Sequence, residues 1–321
     1  MKFVSVFAFL AVVGFAFSAS AHGVGDSVDT QWFTGSLESP SPAIPQAGIF
    51  ALEPYLITQA NSGAYDNSWA HHSVTNDNNQ LQSITLMKYA ITNELSVQAV
   101  PLVAYTWNDQ TTSHGPGFGD LPIEFDYRLN NQNNQTGEPS VTVNFGMNFP
   151  TGNYQRLSTP LDGLGSGAYT AKEGVLLQSL FNTWNNHPTR LRLWGSAFEA
   201  VANVDVQNVS VYGTGQGFQG HVVPGFSSQV GLGAEYGLDQ RWVLAVDLVD
   251  NYAASTVLKG AYGGGAAVNT NLPMSMSIGV APAIEYNWSS STGLIAGVEF
   301  SAAGQNAPSY IAPQIALSMV F

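Results

Sequence analysis

Two groups of residues in this chain combine side chains that catalysis or metal binding uses. His71-His72 lies close to Asp66 and Asp77, a set of imidazole and carboxylate donors of the kind that holds transition metals. Asp109, His114 and Asp120 pair a base with carboxylates, as an acid–base protease would. Both groups fall in segments rich in Gly, Asn, Ser and Thr, where such residues ordinarily serve as solvated loop groups. His187 and His221 also fall in predicted turns or loops, and His22 stands at the predicted mature N-terminus. No His lies in a predicted strand, which argues against a membrane-facing Ser–His hydrolase. The Gly163-x-Gly165-x-Gly167 run has no helix after it and reads as flexible backbone, not a nucleotide loop. With no cysteine, thiolate metal sites and disulfides are excluded. The residues therefore predict no catalytic site, no metal and no cofactor.

A second set of charges sits inside strand-like segments: Lys88, Glu124, Asp126, Arg128, Arg192, Glu235, Asp247, Glu285 and Glu299. Twelve such segments can be read, at about 48–60, 81–92, 95–107, 119–130, 140–152, 168–183, 189–203, 224–238, 241–256, 273–288, 293–304 and 309–321. Their side chains alternate with period two. Val141, Val143, Phe145, Met147 and Phe149 oppose Thr142, Asn144, Gly146 and Asn148. Leu121, Ile123, Phe125, Tyr127 and Leu129 oppose Glu124, Asp126 and Arg128.

The chain needs a solvent for so much apolar surface. Only 10% of its residues are charged and 45% are hydrophobic, whereas soluble domains carry roughly 25% charged residues. Past the N-terminal leader, no apolar run reaches the roughly 18 residues that a spanning helix requires. A closed β-barrel is the other way to satisfy every backbone group in lipid. The connections agree, because long ones (61–80, 108–118, 153–167, 204–223, 257–272) alternate with short ones such as Asn93-Glu94, Asp239-Gln240 and Ser289–Thr292. Outer-membrane barrels pair short periplasmic turns with longer extracellular loops. Aromatics collect at predicted strand ends: Tyr89, Tyr127, Tyr236, Trp242, Tyr286, Trp288 and Phe321 at one, Tyr105, Trp107, Phe149 and Tyr252 at the other. Two interfacial girdles are expected from such a distribution. A basic residue against lipid would cost roughly 2–4 kcal/mol at the midplane, so the strand charges are assigned to the lumen. Six acids against three bases make that lumen acidic and unfavourable to anions. These charges either form a structural network between strands or line a solute path, and the two are compatible.

The ends support the same reading. Met1-Lys2, the apolar run Phe3–Phe17 and Ala19-Ser20-Ala21 make residues 1–21 a predicted signal peptide. The final strand closes on Phe321, similar to the C-terminal assembly signal of bacterial outer-membrane barrels. Such a barrel has membrane lipid and the periplasmic chaperone and barrel-assembly machinery as partners. The formal charge of −13 makes nucleic acid a poor one. An even strand count predicts both termini in the periplasm. Residues 22–47, with the Pro-rich stretch Pro40–Pro45, lack strand periodicity and are expected in the periplasm or inside the lumen. Two features resist the pattern. Pro54, Pro101, Pro122, Pro282 and Pro313 interrupt strands, which points weakly to a lateral exit toward lipid. In segment 189–203, Arg190 and Arg192 share a face with Trp194 and Phe198, and a bulge near Gly195 would reverse the register.

Trp32-Phe-Thr-Gly35, Glu53-Pro54-Tyr55-Leu56, Gly119-Asp120 leading to Tyr127-Arg128, Pro150-Thr151-Gly152 and the Gly163–Gly167 run recur in an order that resembles the MetA-pathway of phenol degradation family. The resemblance spans most of the chain after residue 21. It implies a transporter-like outer-membrane barrel that moves a small solute of hydrophobic or aromatic character, without catalytic residues. The other expectation is a non-transporting surface barrel, an adhesin or structural protein acting through loops such as 61–80 and 204–223.

Overall fold

The computed structural model describes residues 31–74, 77–133, 136–263, 265 and 267–321. The predicted signal peptide and His22 lie outside the described residues. Twelve antiparallel strands form the wall: β1 (Phe50–Tyr65), β2 (Asn79–Ala90), β3 in two pieces (Leu95–Ala99 and Leu102–Trp107) and β4 (Leu121–Asn130). They continue through β5 (Ser140–Phe149), β6 (Thr170–Asn182), β7 (Pro188–Ala200) and β8 (Ser227–Gly237). The last are β9 (Trp242–Ala253), β10 (Ser275–Asn287), β11 (Thr292–Gln305) and β12 (Ala307–Val320). Each pairs with its sequence neighbours, and β1 also pairs with β12, from Ala51↔Val320 to Tyr65↔Ala307. The sheet thus closes on itself. Phe50 and Phe321 complete the closure by exchanging backbone hydrogen bonds of 3.3 and 2.8 Å. No helix among the described residues is long and apolar enough to cross a membrane.

The period-two pattern sorts the faces. On β9, Trp242, Leu244, Val246 and Leu248 are exposed outward, while Val243, Ala245, Asp247 and Val249 are buried inward. Trp242 packs on Tyr286 at 4.7 Å and Tyr286 on Trp288 at 5.5 Å, at the end carrying the termini. At the loop end Tyr105 stacks on Trp107 and Phe149 meets Tyr169 edge-on. These rings sit where an amphipathic side chain meets the membrane interface.

Four local expectations are corrected. First, β7 keeps one unbroken register against both β6 and β8 through Gly195, with no bulge. Arg190, Arg192, Trp194 and Ser196 therefore all face inward, and Leu193 faces out at 46% exposure. Second, charge does not mark the lumen side everywhere. Glu173 lies opposite Phe145, and Asp250 lies opposite Val230 on the outward face; Glu199 alternates with buried positions on β7. All three lie in the loop-end half of their strands, toward the interface, where an acid costs less than at the midplane. Third, the connections 204–223 and 257–272 fold. Val204–Gln207, Phe218–Val223, Thr256–Tyr262 and Ala267–Leu272 make a separate four-stranded sheet over a core of Val206, Phe218, Val222 and Leu258. Fourth, His221 lies in that sheet, and His71 and His72 lie in a short strand paired with β1, so these histidines are not in irregular loop.

The prolines act locally. Pro54 and Pro313 stay paired on one side, while the β1–β12 ladder skips from Leu52↔Met319 to Tyr55↔Ala316 and from Ile57↔Gln314 to Ala60↔Ile311. Pro282 opens the β10–β11 ladder in the same way, between Val280↔Phe300 and Ala283↔Gly297. Pro101 and Pro122 do more. Past Val100, whose N–H donates to the Pro122 carbonyl at 3.1 Å, the β3–β4 ladder breaks at Pro101 and resumes one residue out of register, with Val103 and Ala104 paired to Phe118 and Gly117 just before β4. A seam results between β3 and β4 at the loop end.

Two predictions follow from this geometry. Spin labels on A197C and S196C in vesicles should divide cleanly, A197C relaxed by lipid-dissolved oxygen and S196C not; the reverse would demonstrate a bulge at Gly195. At the loop end, the His114 N–H and ring hold Asp162 at 2.8 and 2.9 Å. Partial burial raises that carboxyl, but the His114 and Thr159 hydrogen bonds outweigh it and hold its pKa below the ordinary value of 3.8. A depressed carboxylate pKa stabilises above the unfolded value and loses that contribution as pH falls through the folded one. The protection of the His114 and Thr159 amides from exchange should therefore persist at pH 5 and be lost only as pH falls below the ordinary carboxylate value of 3.8, and D162N should lack that protection at neutral pH.

Candidate functional site: the occupied lumen

The nine strand charges all turn inward, and five of them, Lys88, Arg128, Arg192, Asp247 and Glu285, hydrogen-bond to residues 31–47. That segment runs through the barrel from the terminus end. Glu285 accepts from the Thr34 N–H at 2.7 Å and the Gly35 N–H at 3.4 Å. Asp247 accepts from the Ser39 hydroxyl at 2.6 Å and the Glu38 N–H at 3.1 Å. Arg192 donates to the Ser39 carbonyl at 2.9 Å and to the Ser36 hydroxyl at 3.4 Å. Lys88 donates to the Ser41 carbonyl at 3.2 Å and pairs with Asp126 at 3.0 Å. Arg128 reaches the Ile44 carbonyl and the Asn93 carbonyl in the turn below it. Glu235 takes the paired donors of Arg190, with Arg192 at 3.7 Å. Glu124 accepts from Gln98 at 2.8 Å and pairs with Lys172. Glu299 stands apart, toward the loop end, accepting from the Tyr310 hydroxyl at 2.7 Å.

Several participants carry no charge pattern that sequence could flag. The wall is cut to the segment by glycines. A Cβ on Gly293 would lie 2.0 Å from Thr34 Oγ1, on Gly233 2.4 Å from Ser39 Oγ, on Gly237 2.6 Å from Gln31 Oε1, and on Gly297 2.7 Å from Leu37 Cδ1. Two strands thus present glycines four residues apart on the inward face, and each pair is legible as a spacing once its face is known. Arg190 covers the Phe33 ring at 4.5 Å, Trp194 donates to Ser39 Oγ at 3.2 Å, and Thr142 donates to the Pro42 carbonyl at 3.0 Å. Leu37 enters an apolar belt with Tyr55, Ala281 and Ile295, flanked by Ile57, Ile84 and Leu86. An apolar belt inside a membrane barrel departs from the polar interior of a water-filled pore.

Two cavities adjoin this arrangement. One of about 400 Å³ surrounds the inserted segment, and one of about 530 Å³ lies at the loop end beside the β3–β4 seam. Ile84 lines both.

The histidine groups do not assemble into chemistry. His72 pairs with Asp66 at 2.7 Å, but Asp66 is already taken by Ser68 and Ala70. His114 pairs with Asp162 rather than with Asp109 or Asp120, and Asp120 holds Gly152 and Ser166 in place. His187 stacks on Tyr236 at 4.9 Å. Among the described residues no three His, Cys, Asp or Glu gather as a metal would require.

No family model and no curated protein sequence matches this chain. Solved structures do. An outer membrane channel from Pseudomonas putida F1 superposes with a TM-score of 0.62 at 15% identity, covering 89% of this chain and 100% of that one. The NanC porin gives a TM-score of 0.43 at 8% identity, over 84% of this chain and 98% of that one. The toluene transporter TbuX of Ralstonia pickettii gives 0.41 at 10%, over 93% and 98%. The first likeness establishes the fold, and the two weaker ones carry no argument. The protein has the twelve-stranded β-barrel fold of bacterial outer-membrane proteins.

The buried pairing and the glycine fit each give a prediction. Removing Glu235 leaves Arg190 and Arg192, whose side chains are 11% and 2% exposed, without their main carboxylate. E235L should therefore destabilise the folded barrel by about 3–5 kcal/mol, read from urea unfolding in vesicles. G293V should expel the segment and expose residues 31–47 to protease in the folded barrel, whereas G195V, whose Cβ meets nothing closer than 3.8 Å, should leave them protected.

Proposed function

We propose that this protein is a passive outer-membrane channel for a small, largely apolar solute, with its short turns and both termini on the periplasmic side. The observation that carries the reading is the apolar share of the loop-end cavity's wall, where Ile84, Val100, Leu102, Pro122 and Leu164 stand beside the polar Gln82, Asp120, Asn148 and Ser166. The apolar side chains hydrate poorly, so the path suits a molecule that sheds water more readily than an ion does. Residues 31–47 act as a plug at the periplasmic side, pinned by Glu285, Asp247 and Arg192. The strand charges serve chiefly to hold that plug, and the narrow acidic space left between them disfavours anions. The solute leaves sideways, through the β3–β4 break at Pro101 between the Val100–Pro122 and Leu102–Gly119 hydrogen bonds, into the membrane. The resemblance to the MetA-pathway of phenol degradation family agrees with a hydrophobic or aromatic solute and with the absence of enzymatic chemistry, and the Pseudomonas putida neighbour is itself an outer membrane channel.

The test is uptake of the apolar dye N-phenyl-1-naphthylamine by cells expressing the protein, alongside planar-bilayer conductance. Expression should speed dye entry several-fold, and a V100C/P122C cross-link should abolish that gain. Deleting residues 31–47 should raise ion conductance severalfold. Unchanged dye entry together with an electrically silent deletion variant would overturn the proposal. It would favour a surface-binding barrel acting through the four-stranded loop sheet.

A further inference from the structure

Three short sequence pieces that the channel reading leaves unused meet at one point: Gly119-Asp120, Pro150-Thr151-Gly152 and the Gly163–Gly167 run. On the β4 side the break at Pro101 is spanned by Asp120 and Leu121, which lie between the Leu102–Gly119 and Val100–Pro122 hydrogen bonds. The Asp120 carboxylate is committed to the loop between β5 and β6. It accepts from the Gly152 N–H at 3.0 Å and from the Ser166 N–H and hydroxyl, both at 2.7 Å. Beside it the Thr151 hydroxyl donates to the Gly119 carbonyl at 2.9 Å, and the Leu164 and Gly165 N–H groups donate to the Asn153 carbonyl at 2.9 and 3.0 Å. The glycine run is therefore drawn tight rather than slack. A Cβ on Gly165 would lie 2.4 Å from the Gly152 carbonyl oxygen, and one on Gly152 would lie 2.8 Å from the Gly165 Cα. Only residues without a side chain let two backbones cross so closely. The crossing sets Leu164 over Gly117, whose own Cβ would meet Leu164 Cδ1 at 2.8 Å. Leu164, Gly165 and Ser166 then wall the loop-end cavity together with Val100, Leu102 and Pro122, the residues at the edges of the break.

We propose that residues 163–167 are a strap that closes the β3–β4 break from the lumen side, with Leu164 as its stopper and Asp120 as the positioning residue that holds it shut. This rests on the channel reading and adds a gate to its exit. Hydrogen bonds to an ionised acceptor are roughly twice as strong as neutral ones, so one carboxylate with three donors fixes the strap at a single point. A tie needed only to order the loop could sit anywhere along it. Here it sits on a residue that spans the gap. The strap is also held from the outer side, because the Tyr212 hydroxyl donates to the Ser166 carbonyl and Tyr212 packs against the core of the four-stranded loop sheet. Releasing Asp120 leaves that outer tie in place, and Leu164 withdraws from the break while the loop stays folded.

The test uses the cysteine-free background, in which D120C/S166C turns the clasp into a disulfide that a reductant opens. With the bond intact, cells should take up N-phenyl-1-naphthylamine no faster than wild type. Reduction should raise the rate severalfold above wild type, which the reductant should not move. Hydrogen exchange on the purified barrel in detergent reads the strap itself: D120A should speed exchange across 163–167 about tenfold and leave β4 and β5 protected. Heat-modifiable gel migration establishes that each variant is folded. D120N serves if D120A is not, and D120A dye entry decides if the disulfide does not form. Dye entry that is present but indifferent to reduction, the outcome of a merely structural Asp120, overturns the gate and leaves the channel. Unchanged exchange in D120A overturns the clasp. Dye entry absent even from wild type removes the channel reading and the gate with it.

Discussion

A polypeptide crossing lipid must satisfy every backbone N–H and C=O from within, because hydrocarbon offers no partner. Everything else in this molecule follows from the closure of β1 on β12, sealed where Phe50 and Phe321 exchange hydrogen bonds. Closure fixes which side chains meet lipid and which meet the interior. Low charge content, which would be a liability in water, becomes the expected composition for such a wall.

The interior then has its own problem. A barrel of this size could be filled by long side chains from the wall, but here a piece of the same chain does much of the filling. Residues 31–47 are mostly small or apolar and, apart from Glu38, which accepts from Gln314, bring backbone groups and hydroxyls rather than charges, so the wall supplies most of the charges. Carboxylates of Glu285 and Asp247 take amides and hydroxyls, and the guanidinium of Arg192 takes a carbonyl. Glycines on β8 and β11 let the segment approach closely. Above it, the loop-end half of the lumen is lined largely by polar side chains, among them Gln80, Gln82, Thr106, Glu299 and Tyr310, and there the β3–β4 ladder breaks at Pro101 and resumes one residue out of register.

The wall was largely legible from sequence because period-two alternation and alternating connection length are direct consequences of the fold's geometry. Twelve strands at nearly the read positions, and the inward direction of Lys88, Glu124, Asp126, Arg128, Arg192, Glu235, Asp247, Glu285 and Glu299, all rest on that period. What failed did so for identifiable reasons. Gly195 suggested a bulge because Arg190 and Arg192 share a face with Trp194 and Phe198, whereas the Trp194 indole N–H bonds to Ser39 inside the lumen. Glu173 and Asp250 broke the rule that charge means lumen, because that rule weakens toward the interface. The loop sheet was missed because its strands are short and Gly-rich, so Val204, Val206 and Val222 carried too brief a period. The partners of the inserted segment could not be read at all: which glycine meets which serine is set by three-dimensional approach, not by spacing.

The account's central claim is closure of the first strand on the last within one chain, and a cysteine-free background makes it directly measurable. Ile57 and Gln314 are register partners across that seam. In membrane vesicles, I57C/Q314C should form an intramolecular disulfide in nearly every folded molecule and leave the protein monomeric. Absence of the bond, or bonds only between separate chains, would contradict a sealed cylinder.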